Sequence, residues 1–132
     1  MTWDELTEVW VAKEKLKQAE KALEVWRREN ALIVPSMNGL PKSKSAISRT
    51  ERLALKIIDA EKRVDELQLK VEDAMKSLEH EIFMEFPDSK TRMLLVLRYV
   101  DCMYFRDIAL VMGYSEAHIY YLHNKATKDL EI

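Results

Sequence analysis

The chain has 132 residues, of which 48% are hydrophobic and 33% are charged, with two glycines, three prolines and a formal net charge of −2. This length suits about one domain, and so few turn residues argue against a sheet protein and favour long amphipathic helices. The near-neutral charge by itself indicates neither nucleic acid nor an anionic membrane as a partner. A single cysteine, Cys102, leaves no internal disulfide, which is typical of a reducing cytoplasm.

The first predicted element is a helix from about residue 3 to residue 30. Thr2-Trp3-Asp4-Glu5 has the pattern of a capping box. Apolar or small residues then follow at alternating spacings of three and four, which is a heptad pattern: Val9, Ala12, Leu16, Ala19, Leu23 and Trp26. The N-terminal stretch lacks the basic and apolar regions of a signal peptide, and no apolar run could cross a bilayer, so we expect a soluble, cytoplasmic protein with no membrane partner.

Residues 31–47 interrupt the helical pattern and are predicted to form a loop. They contain Pro35, the pair Asn38-Gly39 and Pro41, all of which are strong turn signals. Residues 31–50 carry three basic residues and no acidic residue, and the basic ones are Lys42, Lys44 and Arg49. Either this is an ordinary solvated loop, or these three side chains contact phosphate groups.

A second capping box, Ser48-Arg49-Thr50-Glu51, begins a longer helix, which Pro87 ends near Glu85. Its heptad positions are Ile57, Ala60, Val64, Leu67, Val71, Ala74 and Leu78. Residues 1–87 are therefore predicted to form a long antiparallel helical hairpin. Its seam could pack within one chain or between two chains of a dimer. Residues 51–87 hold ten acidic and six basic residues, so we do not expect this surface to face DNA.

Residues 88–132 differ in kind and are predicted to form a separate small helical domain. Asp88 or Ser89 is a suitable N-cap. Apolar residues crowd together in MLLVLRYV (93–100), which indicates a helix buried on several faces at the centre of a small core.

Two short helices follow, separated by a glycine turn. Phe105, Ile108, Ala109 and Met112 lie on one face of a two-turn helix, and Gly113 follows where a helix end favours a positive φ. Ser115 then caps a last helix. The inward positions of this last helix are Ile119, Leu122, Ala126 and Leu130. Two short helices joined by a three-residue turn containing glycine indicate a helix-turn-helix.

The outward face of the last helix is the candidate DNA-binding surface. Ala117, Tyr121, Asn124 and Lys128 lie opposite the inward stripe, and His118, Tyr120 and Lys125 flank them. Asparagine can pair with adenine, lysine can reach guanine or phosphate, and tyrosine can contact phosphate or a thymine methyl group. Alternatively, Tyr120 and Tyr121 belong to the core or to a protein-contact surface.

The segment from Leu97 to Leu130 resembles region 4 of bacterial sigma factors. The matching pieces are Leu97-Arg98-Tyr99, Phe105, Asp107-Ile108-Ala109, Gly113-Tyr114-Ser115, and Lys125-Ala126 with Leu130. The whole chain is similar to small phage-encoded proteins in which a coiled-coil half and a Pro/Ser-rich loop precede such a domain, related to phage late-transcription regulators of the ArpU and RinA kind.

The resemblance implies binding of double-stranded DNA in the major groove during phage or prophage transcription in a bacterial cell, with host RNA polymerase as a further partner. Sigma factors contact promoter DNA from the start and middle of the last helix, where this chain has Glu116, Ala117, Tyr120 and Tyr121. Glu116 stands in place of the usual arginine. With Ser115, His118, Asn124, Lys125 and Lys128, these residues complete the predicted DNA-binding set.

Two functions from different classes remain open: a dimeric DNA-binding transcription regulator, and a protein-interaction or DNA-packaging adaptor assembled through the hairpin. We expect no enzymatic activity, because the sequence has no phosphate-binding glycine loop and no cysteine cluster. His118 and His123 are five residues apart on a helix and cannot share a metal ion, so neither a metal nor another cofactor is expected.

Overall fold

The computed structural model describes residues 1–32 and 48–130, and the elements that it forms in these two ranges are helices. The helices are α1 (Trp3–Leu6), α2 (Glu8–Ala31), α3 (Arg49–Glu85), α4 (Ser89–Leu95, continued by a π-helical turn over Val96–Val100), α5 (Phe105–Met112) and α6 (Glu116–Thr127). The predicted all-α class is confirmed, with a long antiparallel hairpin of α2 and α3 followed by a small C-terminal bundle of α4 to α6. Within the described ranges, no helix has the length and apolar character needed to span a bilayer.

The predicted first helix is interrupted at Thr7. The Thr2 hydroxyl accepts a hydrogen bond from the Glu5 amide at 3.2 Å, and the Glu5 carboxylate accepts one from the Thr2 amide at 3.2 Å, which confirms the capping box. Thr7 then ends α1, and its hydroxyl donates to the Trp3 carbonyl at 2.8 Å. Such hydroxyl-to-carbonyl bonds compete with regular helical hydrogen bonds, so α2 begins anew at Glu8.

The two ends of α3 lie where the sequence places them. The Ser48 hydroxyl accepts from the Glu51 amide at 3.1 Å, and the helix ends at Glu85, two residues before Pro87. Arg49 is exposed in the first turn of this helix. Lys42 and Lys44, the other two predicted phosphate contacts, lie outside the described residues.

The chain divides into two compact units. The first, called the hairpin unit, comprises Glu14–Leu69. Its buried residues form one stripe on each helix: Leu16, Leu23, Leu53 and Leu67. At the edge of the stripe, the Lys56 ammonium lies 4.4 Å from the centre of the Trp26 ring, and Arg27 pairs with Glu61 at 3.3 Å.

The second unit, called the terminal unit, comprises Met1–Lys13 and the described part of Lys70–Ile132. It contains two clusters of buried side chains. The first cluster joins α1, the start of α2, the end of α3 and α4: Leu6, Val9, Ala74, Leu78, Ile82, Leu95, Tyr99 and Val100. The second joins α4, α5 and α6: Leu94, Ile108, Ala109 and Ile119. The domain boundary predicted at residue 87 stays a prediction.

The predicted central helix lies between these two clusters, as its apolar crowding indicates. Leu94 belongs to the second cluster and Leu95 to the first, and both are fully buried. After Leu95 the helix widens into the π-helical turn, where the Asp101 amide donates to the Val96 carbonyl at 3.0 Å. The element ends at Val100, and Cys102, two residues later, has a positive φ of 57°. This is a conformation that glycine usually provides at helix ends.

Candidate nucleic-acid interface

The turn between α5 and α6 has the backbone that the sequence predicts. Gly113 adopts the left-handed conformation with φ 73° and ψ 31°, and its amide donates to the Ala109 carbonyl at 2.9 Å. A side chain at this position would meet no atom within 4 Å, so the backbone conformation alone is what favours glycine. The Ser115 hydroxyl then accepts a hydrogen bond from the His118 amide at 3.1 Å and caps α6. The chain therefore forms a helix, a three-residue turn and a second helix.

The inner face of α6 is anchored in the terminal unit. Ile119 is fully buried in the second cluster. The predicted inward residues Leu122 and Ala126 are only half-buried, and Leu130, also half-buried, lies beyond the end of α6 at Thr127 rather than on the helix. His123 and Thr127, which the apolar spacing does not place inside, are buried instead. The inward stripe of α6 is thus rotated toward His123, and it is more polar than the apolar spacing predicts.

His123 lies in an aromatic enclosure. Its Nε2 shares a hydrogen bond of 2.5 Å with the Tyr99 hydroxyl, and its ring lies 5.0 Å from the Phe105 ring and 6.5 Å from the Trp3 ring, centroid to centroid. Burial lowers the pKa of His123 from its ordinary value of 6.5, although a hydrogen bond with the Asn124 side chain acts in the opposite direction. Burial also raises the pKa of Tyr99. Both groups are therefore held neutral, and the pair fixes the orientation of α6.

All nine residues of α6 and its cap that were predicted to contact DNA are exposed. They are Ser115, Glu116, Ala117, His118, Tyr120, Tyr121, Asn124, Lys125 and Lys128. Tyr121 is 60% exposed and Tyr120 is 46% exposed. The alternative that these two tyrosines belong to the core does not hold for Tyr121, whereas Tyr120 packs its ring 4.7 Å from Phe105 and keeps only part of its surface free.

A chain of aromatic contacts orders the start of this surface. The ring of Tyr114, in the turn, meets His118 edge-on at 4.8 Å, and His118 in turn stacks near Tyr121 at 6.2 Å with an interplanar angle of 23°. Side chains that are already packed against each other lose less conformational entropy when they bind a partner. The exposed aromatic surface is therefore partly preorganised.

The beginning of α4 adds charge beside the turn. The Lys90 ammonium lies 5.8 Å from the Tyr114 ring centre, and a hydrogen bond with the Tyr114 hydroxyl raises the pKa of Lys90. The Asp88 carboxylate accepts from the Thr91 hydroxyl at 2.9 Å and from the Thr91 amide at 3.1 Å, and these two bonds lower its pKa. Lys90 and Lys125 lower it further by charge attraction. Neither Lys125 nor Lys128 forms an ion pair among the described residues.

Not all basic residues of the C-terminal segment are free to meet a ligand. The Arg98 guanidinium lies between the rings of Trp10 and Phe105, at 4.5 and 4.1 Å from their centres. Arg92 donates to the backbone carbonyls of Phe83 and Phe86. The exposed basic residues are Lys90, Arg106, Lys125 and Lys128.

Two of these four, Lys90 and Arg106, were missed by the sequence analysis. Arg106 is the second residue of α5, the first helix of the motif, which crosses the DNA backbone in proteins of this architecture, and its guanidinium lies 3.7 Å from the Asp107 carboxylate. That position could have been found from the helix-turn-helix spacing. Lys90 could not, because only the packing of α4 against the turn brings it close to Tyr114.

No group of three or more histidine, cysteine or acidic side chains is placed to hold a metal ion within residues 1–32 and 48–130. Comparison of the chain with protein-family models, with curated proteins and with solved structures gives no match.

Proposed function

We propose that the chain is a DNA-binding transcription regulator, encoded by a phage or prophage, whose α6 enters the major groove of double-stranded DNA. The observation that carries this proposal is that α6 has one buried face and one exposed face. Ile119 and His123 fix its inner face, while the predicted contact residues are all exposed on the outer side. A recognition helix needs this arrangement, because its base-contacting side chains must project from a rigid support.

Some side chains on this face are candidates for contacts to DNA bases, and others are candidates for contacts to DNA phosphates. Asn124 is the candidate for a bidentate contact to adenine, and Tyr121 is the candidate for packing against a thymine methyl group. Lys128 and Lys125 are candidates for phosphate contacts, to which Lys90 and Arg106 add. Glu116 at the start of the helix can accept a hydrogen bond from cytosine and repels phosphate, so it restricts which sequences can bind.

The charge of the segment sets the expected affinity. Residues 88–132 contain six basic and six acidic residues, so non-specific attraction to DNA is weak. If the four exposed cations each neutralise one phosphate, the logarithm of the binding constant falls with the logarithm of salt concentration with a slope of about −3.5 per protomer.

The decisive experiment is selection of bound sequences from random duplex DNA with the full chain, followed by fluorescence anisotropy on the selected site at several salt concentrations. We expect enrichment of a defined site and a steep salt dependence. Failure to enrich any site, with no binding at low salt, would contradict the proposal.

Three alanine variants assign the roles. Lys128→Ala should weaken binding to selected and random duplexes alike and reduce the salt slope by about 1. Lys125→Ala should weaken binding to both kinds of duplex in the same way, because Lys125 is also exposed and forms no ion pair among the described residues. Asn124→Ala should reduce the preference for the selected site while leaving the salt slope unchanged. Lys17→Ala, an exposed lysine on α2, is the matched control and should bind like the unmodified chain.

A second candidate function, a protein-interaction or packaging adaptor, is favoured by one specific feature. Exposed apolar side chains lie on α5 and just before it: Leu110 is 78%, Val111 is 55% and Tyr104 is 72% exposed. An exposed apolar patch next to a helix-turn-helix is typical of a protein-binding surface. For this function we expect Leu110→Ser to abolish partner binding, with host RNA polymerase as the first partner to test, while DNA binding is unaffected.

A further inference from the structure

The outer face of α3 in the hairpin unit carries a second regular stripe, called here the outer seam. It consists of Leu55, Ile58, Lys62, Asp65 and Leu69, spaced by three, four, three and four residues. All five side chains are exposed, and the three apolar ones retain 55%, 47% and 62% of their surface for Leu55, Ile58 and Leu69. Spacing of this kind places side chains in one line along a helix.

The outer seam is not part of the core of the hairpin. The stripe of α3 that packs inside this unit runs through Leu53, Ala60 and Leu67, and at 100° per residue the outer seam lies on nearly the opposite side of the helix. Single exposed apolar residues are ordinary on a protein surface. Here three apolar residues occupy the first, second and fifth of five heptad positions and two charged residues occupy the middle ones, which is the pattern of a surface that receives another helix.

The charges of the seam determine which partner fits. We propose that the outer seam binds the same seam of a second copy of the chain, with the two α3 helices antiparallel. In heptad terms Leu55, Lys62 and Leu69 occupy the a positions, and Ile58 and Asp65 occupy the d positions. In an antiparallel pair each a residue faces a d residue of the other helix. Lys62 then faces Asp65 of the second copy, and Ile58 faces its Leu69.

This arrangement is self-complementary about a two-fold axis that passes between Lys62 and Asp65. It creates two oppositely charged contacts in the middle and one apolar contact between Ile58 and Leu69 on each side, as a closed dimer requires, while Leu55 of each copy faces Glu72 of the other, beyond the seam. In a parallel pair, a faces a and d faces d, so that Lys62 would meet Lys62 and Asp65 would meet Asp65. Like charges at the centre of a seam disfavour that orientation.

The flanking residues do not decide the orientation. An antiparallel pair brings Asp59 near Glu66 of the second copy, and a parallel pair brings Glu61 near Glu66, so both orientations place acidic residues together. In each chain these acids have nearby cations, since Glu66 lies 3.9 Å from Arg63 and Glu61 lies 3.3 Å from Arg27. Lys62 and Asp65, in contrast, form no ion pair among the described residues, and their charges are available to a second copy.

The proposal is independent of DNA binding and is tested by the mass of the full chain in solution. Sedimentation velocity over a range of protein concentrations should show a monomer–dimer equilibrium. Lys62→Glu should weaken dimerisation at least tenfold, because two carboxylates would then face each other across the seam, and Asp65→Lys should weaken it equally by opposing two ammonium groups. The double variant with both changes should regain the dimer, because the pair is restored with its charges exchanged.

Lys21→Glu is the matched control, since it changes the same charge on an exposed position of α2 and should dimerise like the unmodified chain. Circular dichroism checks that each variant keeps its helices, so that loss of the dimer cannot be assigned to unfolding. A chain that stays monomeric at all concentrations overturns the proposal. Single variants that dimerise like the unmodified chain also overturn it, since a parallel pair or another surface would give that result.

Disulfide trapping tests the orientation directly, in a Cys102→Ser background. A mixture of an Ile58→Cys chain and a Leu69→Cys chain should form a cross-linked dimer under mild oxidation, and neither chain alone should do so efficiently. Cross-linking of each chain with itself, without cross-linking of the mixed pair, would contradict the antiparallel arrangement.

Discussion

The hairpin unit and the terminal unit bury their apolar residues to different degrees. In the terminal unit, residues from every packed element are completely buried, among them Leu6 of α1, Ile82 of α3, Ile108 of α5 and Ile119 of α6. In the hairpin unit the most buried side chains, Leu53 and Leu67, each retain 4% of their surface, and Leu16 retains 9%. Two helices can enclose only one stripe between them, whereas several short helices can surround a side chain on all sides.

The comparison shows that buried apolar side chains serve two purposes. In the terminal unit they fix the position of one short helix, whereas in the hairpin unit they form a single stripe and leave other apolar residues exposed along the outer seam. The first arrangement suits a rigid presentation surface, and the second suits assembly. Substitutions in each unit can test this difference, from the largest expected effect to the smallest.

The largest effect is expected from truncating the most enclosed side chain of α6. Ile119→Ala should lower the free energy of unfolding by about 3 kcal/mol, because the fully buried site cannot collapse around the lost atoms. Leu23→Ala in the hairpin unit should cost less, about 2 kcal/mol, since solvent already reaches its site. Urea denaturation followed by circular dichroism measures both. A larger loss for Leu23→Ala would reverse the comparison.

Substitutions of Gly113, in the turn between α5 and α6, test how much stability depends on the left-handed backbone conformation there. Gly113→Ala should cost about 1 to 2 kcal/mol, because an alanine must adopt the left-handed conformation even though its methyl group meets no neighbour. Gly113→Asn is the control and should cost less, since asparagine tolerates this conformation. Equal stability of the glycine and alanine chains would show that the turn relaxes to another conformation.

The buried histidine should make the stability of the terminal unit depend on pH. Burial lowers the pKa of His123 below its ordinary value of 6.5, so below about pH 6.5 the unfolded chain takes up a proton that the folded chain excludes. The free energy of unfolding should therefore be highest above this pH and fall as the pH decreases, until the folded chain is protonated too. The slope for one proton is at most about 1.4 kcal/mol per pH unit.

The variant His123→Gln should remove this part of the pH dependence. His118→Gln, a change of the same kind on the exposed side of α6, should leave it in place. Urea denaturation at pH 7.5, 6.5 and 5.5 distinguishes the two variants. If they respond alike to pH, the dependence does not arise at His123.

The smallest effect is expected at the surface of the hairpin unit. A double-mutant cycle of Arg27→Ala and Glu61→Ala should give a coupling energy of about 0.5 kcal/mol, because both side chains are about half exposed and solvent screens their charges. The coupling should decrease further in 0.5 M salt. A coupling above about 2 kcal/mol would mean that this ion pair stabilises the hairpin far more than its exposure predicts.

Local signals in the sequence predicted most of the helix ends. The Ser48 cap, Pro87, Gly113 and Ser115 each act through their own backbone or that of residues three positions away, so they determine a helix end wherever the rest of the chain lies. The outward face of α6 could be predicted for the same reason, because the helical period alone determines which residues share a side.

Features that depend on packing could not be found in this way. The burial of His123 depends on Tyr99, Phe105 and Trp3, which are distant in sequence. The proximity of Lys90 to Tyr114 depends on the packing of α4. Cys102 has a positive φ after the π-helical turn. The sequence has no glycine at this position that would have indicated such a conformation.

The successive residues Leu94 and Leu95 enter different clusters of the terminal unit. Rotation of α4 about its axis would move both leucines in their sites at once, so we expect loosening of one cluster to disturb the other. Hydrogen exchange should accordingly show α1 and α6 opening at the same rate. A ligand that immobilises α6 should slow exchange in α1, which α6 also meets directly where the Trp3 ring lies 6.5 Å from the His123 ring.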